Sequence, residues 1–127
     1  MSRELSLAEI FQLGYYWETK ILLTAVKLDV FSVLDGKRKT LHEVAGRLGA
    51  HEQTLGLLLN ALVAMRLLEK DGDSYGNSTA AATHLVRNSA QYVGHLLLLH
   101  DAEWDNWGKL EQTIRTGQRS VDRHVFE

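Results

Sequence analysis

The sequence predicts a mainly α-helical winged helix-turn-helix domain, with a small β-hairpin wing and additional helices at both ends. Three observations predict it. Residues 40–62, "TLHEVAGRLGAHEQTLGLLLNAL", read as two helices joined by a tight turn. Thr40 and Glu43 have the spacing of a capping box, and Gly49 can close the first helix in a left-handed conformation. Then "RLLEKDGDSYGNS" sets Asp71-Gly72 between two short runs, a strong hairpin signal. Finally, the chain contains no proline, so no ring interrupts the helical patterns on either side.

The elements follow in order. Ser6 with Glu9 forms a second capping box, opening a helix expected over residues 7–28. Leu7, Ile10, Gly14, Trp17, Ile21, Ala25 and Leu28 recur at three- and four-residue spacing and define its expected core stripe. The other side carries Tyr16 and Leu23 among Glu9, Gln12 and Lys27, and a helix apolar on two sides has two things to pack against. "DVFSVL" reads as a short helix and "DGKRK" as a solvated turn. The helix-turn-helix comes next, then strands at 67–70 and 74–77. Thr79 is expected to cap a short helix over 80–86, and residues 88–117 should give two more helices, ending at Gly117.

The bulk numbers bound the class. The chain has 127 residues, 45% of them hydrophobic and 24% charged, enough for one domain with a real core. Without cysteine it can form no disulfide, thiolate nucleophile or thiolate zinc site. The first residues are charged and amphipathic, unlike a signal peptide, and no apolar run approaches a membrane span. The expectation is a cytoplasmic protein with no membrane partner.

A helix-turn-helix ordinarily suggests DNA, but this one is poorly equipped for it. The net charge is −2, whereas phosphate contacts demand a basic excess. On a helical wheel of residues 52–66, Leu55, Leu58, Leu59, Leu62 and Met65 take the core side. The outward side is Gln53, Gly56, Leu57, Asn60 and Ala64, with no cation before Arg66. Glu69, Asp71 and Asp73 make the wing acidic against a single Lys70. No nucleic-acid partner is expected. A stand-alone winged-helix transcriptional regulator remains the alternative, and a protein that binds some other helix through its apolar faces is a third.

"GYYWETKILLTAVKLDVFSVL" (14–34), "TLHEVAGRLG", "LLLNALVAMRLLEKDGDSYGNS", "YVGHLLL" and "WGKLEQTIRTG" resemble, in order, the N-terminal region of small-molecule O-methyltransferases. These S-adenosylmethionine-dependent enzymes include plant caffeate, acetylserotonin and bacterial antibiotic-tailoring methyltransferases. The likeness runs from about residue 10 to 117. Arg66 departs from the usual glycine at the helix end, and His51 from the usual aspartate cap. Asn77 and Thr79 stand where an apolar residue and a proline are common.

The resemblance implies that residues 1–117 are a winged-helix-like dimerisation domain and that 118–127 begin a linker to a catalytic domain outside this chain. That domain would hold the cofactor and the catalytic histidine. The ten glycines here are scattered singly, with no strand-to-helix turn built of glycines for the adenosyl cofactor. No catalytic, cofactor-binding or metal residue is therefore expected in this chain. S-adenosylmethionine belongs to the parent enzyme, and a small aromatic or polyketide hydroxyl would be methylated only with the catalytic domain present.

Leu96, Leu97, Leu98 and Leu99 in succession cover every side of a helix expected over 90–100. That helix is either the centre of one chain's core or is buried between two subunits, and the small core of a single domain favours the second. The expected homodimer surface is Leu13, Tyr16, Leu23, Leu96, Leu97, Leu98 and Leu99. His95 and His100 lie about 140° apart on a helix, so they do not converge on a metal. Tryptophans are mostly core anchors. The resemblance adds that Tyr15, Trp17, His100, Trp104 and Trp107 would lie near the acceptor pocket of one subunit or its partner.

Overall fold

The computed structural model describes residues 3–119. Of the expected linker, residues 120–127 lie outside the described residues. The order is α1 (Leu7–Leu13), α2 (Tyr16–Leu28), α3 (Val30–Val33), β1 (Lys39–Thr40), α4 (Leu41–Leu48), α5 (Glu52–Ala64), β2 (Leu68–Asp71), β3 (Ser74–Asn77), α6 (Thr79–His84), α7 (Gly94–Trp107) and α8 (Leu110–Thr116). This is the winged helix-turn-helix, mainly helical, with helices added at both ends.

The helix-turn-helix forms as its capping residues dictate. Thr40 Oγ1 accepts from the Glu43 N–H at 3.2 Å, and the Glu43 carboxylate accepts from the Thr40 N–H at 3.1 Å. The Thr40 N–H and then the Thr40 hydroxyl, both donating to the Glu43 carboxylate at 3.1 Å, hold that carboxyl below its ordinary value, with smaller help from Lys39 and Lys37. Gly49 ends α4 at φ +63, where a Cβ would be strained. α5 starts without the common aspartate. His51 stands in for it, its Nδ1 accepting from the Thr54 N–H at 3.3 Å. At the other end Arg66 takes φ +65. Its N–H donates to Val63 O at 3.0 Å and the Leu67 N–H to Leu62 O at 2.9 Å. That pair of bonds is a Schellman closure with arginine in the position that favours glycine.

The wing is one residue out of the expected register. Asp71 pairs with Ser74 as the last rung, so Gly72 and Asp73 make the two-residue turn. A third strand was not expected: β1 adds to the far side of β3, giving the antiparallel order β1-β3-β2. Two residues are too short to show a strand period, which is why the sequence reads as a turn there. Ser78, not Thr79, caps α6, accepting from the Ala81 N–H at 3.2 Å.

The core gathers Ala25, Val26, Val30, Phe31, Leu34, Val44, Ala45, Leu55, Leu59, Leu62, Leu68, Tyr75, Ala81, Leu85 and Val86. It lies among α2 to α6 and the sheet.

Two expectations at the ends need correction. The single helix over 7–28 is broken at Gly14 and Tyr15. Gly14 weakens the helix there, and three bulky aromatics follow it. The break lets the Tyr15 and Trp17 rings meet at 4.8 Å, a contact that residues two apart cannot make in a continuous helix. The expected core stripe is lost with it: Leu7, Ile10, Trp17 and Leu28 are exposed, and only Ala25 of that set is buried. The helix expected over 90–100 instead starts at Gly94 and runs to Trp107. The segment before it is turn, tied back by the Val93 N–H to His84 O at 2.8 Å.

Candidate association surface

α1 and α8 bury none of their own residues within the chain. α1 exposes Leu7, Ile10, Phe11 and Leu13, the last at 80%. α8 exposes Leu110 and Ile114, and the end of α7 exposes Trp107. Seven-residue helices with apolar side chains and no core of their own carry surface that monomeric domains rarely leave bare.

The four leucines of α7 divide evenly. Leu97 and Leu98 pack against the core, while Leu96 and Leu99 are exposed, Leu96 at 57%. Successive residues point about 100° apart, so one pair faces inward and the other outward. Of the expected dimer residues, Leu13, Tyr16, Leu96 and Leu99 are thus free at the surface. Leu23 is 1% exposed and already spent inside one chain, because α2 turns that side inward.

α2 and α7 are joined by charges that the sequence reading passed over. Asp101, whose side chain is 14% exposed, lies 3.2 Å from Lys27 Nζ and 3.6 Å from Lys20 Nζ. Lys20 also sits over the Trp104 ring, 4.8 Å from its centroid. Lys20 and Lys27 are seven apart on α2, one face of the helix, and that spacing was the available signal. The aromatics split into two groups. The Trp17 ring meets those of both Tyr15 and Tyr16, with Tyr16 edge-on at 5.5 Å. Trp104 is half-buried and linked to α2 through Lys20, whereas His100 and Trp107 stand exposed. His95 is engaged edge-on with the Tyr92 ring at 4.9 Å. Among the described residues no group of three or more His, Cys, Asp or Glu could hold a metal ion.

On the outward face of α5, Gln53, Leu57, Asn60 and Ala64 are exposed as the wheel places them, and the structure departs from it at Gly56. Gly56 is buried, and a Cβ there would meet Leu41 Cδ2 at 3.1 Å. Asn60 is committed to the wing, accepting from the Tyr75 hydroxyl at 2.6 Å. Leu57 remains exposed. No described helix is long and apolar enough to cross a membrane.

The model of the O-methyltransferase dimerisation domain family matches residues 11–87. This chain belongs to that family. The dimerisation domain is similar to the tetracenomycin polyketide synthesis 8-O-methyl transferase TcmO of Streptomyces glaucescens, at 40% identity over 84% of this chain and 32% of TcmO. It is also similar to the N,N-dimethyltransferase OxyT of Streptomyces rimosus, at 36% identity over 81% of this chain and 30% of OxyT. Among solved structures, the O-methyltransferase NcsB1 from neocarzinostatin biosynthesis, in complex with S-adenosyl-L-homocysteine, superposes with a TM-score of 0.76. The two are 26% identical, over 86% of this chain and 37% of NcsB1. The dimerisation domain therefore spans about a third of the length of the proteins it matches.

Proposed function

We propose that this chain joins two copies of a cytoplasmic, S-adenosylmethionine-dependent methyltransferase. Residues 1–117 form the homodimerisation module and the chain beyond leads toward the catalytic domain. The observation that carries the reading is the set of apolar side chains on α1 and α8, with Leu96 and Leu99 of α7, which the chain's own core leaves uncovered. A twofold contact would use that patch twice.

The methyl acceptor is a small molecule held chiefly by the catalytic domain. TcmO is named for transfer to oxygen and OxyT for transfer to nitrogen, so the acceptor atom is not fixed by likeness in this region. A hydroxyl on a flat aromatic or polyketide is the reading favoured here. Tyr15, Trp17, His100, Trp104 and Trp107 would contribute to the wall of its pocket, in one subunit or across the dimer. Recognition of DNA fits less well, because Asn60, one of the two amide side chains on the outward face of α5, is bonded to Tyr75.

The test is the mass in solution. Light scattering at micromolar concentration should give twice the chain mass of 14.3 kDa. Leu96→Asp should return a monomer that keeps the cooperative thermal unfolding of its core, with no more than a small loss of helical signal from α1, since Leu96 is exposed in the single chain. A wild-type chain that scatters as a soluble monomer would overturn the proposal.

A further inference from the structure

No further inference is drawn: the strongest candidate, the half-open cleft of about 240 Å³ between the α3–β1 turn, the end of β3 and α6, lined by Lys37, Arg38 and Asn77 among others, carries none, because Arg38 is already paired with Glu69 at 3.3 Å, the unpartnered Oδ1 of Asn77 is closed off from solvent, and nothing else in the cleft specifies a ligand.

Discussion

Among the described residues, two other than glycine hold left-handed backbone, and they do so on different terms. Asp29, at φ +65, closes α2, and its carboxylate pairs with Arg87 Nε at 3.3 Å. Aspartate tolerates this region better than most residues. Arg66 has the same φ, and its backbone completes the closure of α5 without need of its side chain. Arg66→Gly should therefore stabilise the fold by about 0.5–1 kcal/mol, the relief of strain partly offset by the freer unfolded chain. A thermal melt reads this as a rise of a few degrees, and a lower melting point would contradict it. Asp29→Gly should gain nothing, because it removes the ion pair along with the strain. Arg66 was legible in the sequence, as a departure from the glycine that a helix end favours. The contact of Asp101 with Lys20 and Lys27 was not: it joins residues more than seventy positions apart, and helical periodicity says nothing about which helices meet.

At the scale of elements, local chemistry was read well and continuity badly. Both capping boxes stand where Ser6–Glu9 and Thr40–Glu43 announced them, because each is settled within four residues. The break at Gly14 was missed because the apolar spacing runs through it, and spacing registers no local weakness in the backbone. The helix that carries the leucine run was extended too far toward its N-terminus, since its true N-cap, Val93, has no capping side chain, while the cap-forming types Asn88 and Ser89 lie several residues earlier. Glu43 gives the capped element a dependence on acid. Its folded-state pKa lies below the ordinary 4.5, so its stabilisation is complete above 4.5 and is lost as pH falls through the lowered value. Urea titrations across that window should show wild-type stability declining with acidity more steeply than that of Glu43→Gln. Parallel curves for the two proteins would show that the cap is idle.

For the whole molecule, the division between what one chain covers and what it leaves bare separates two kinds of leucine. Leu59 is fully buried in the core, and Leu59→Ala should cost about 2–5 kcal/mol in equilibrium unfolding without altering which surfaces associate. Leu96 is of the other kind, exposed in the single chain, and under the proposed dimer a polar replacement there is expected to change the mass in solution and spare the core. The winged-helix core was legible because its helices alternate cleanly between inward leucines and capped ends. The sharing of the surface leucines was only half legible. Four in succession announced that every side of α7 is apolar, but nothing in the order of residues said that Leu97 and Leu98 would be claimed from within.

α1 has a consequence for how the molecule behaves on dilution. A seven-residue helix is too short to persist on its own in water, since nucleation outweighs so few bonds. It buries no residue in its own chain, so under the proposed twofold contact its order comes from the partner copy, and its folding obeys mass action while that of the core does not. Lowering the concentration well below the dissociation constant should melt α1 and leave α2 to α6 intact. Circular dichroism would record a small, concentration-dependent loss of helix ahead of the main thermal transition. Helical signal that stays constant per residue from high micromolar to low nanomolar, while the mass halves, would show that α1 holds its shape alone.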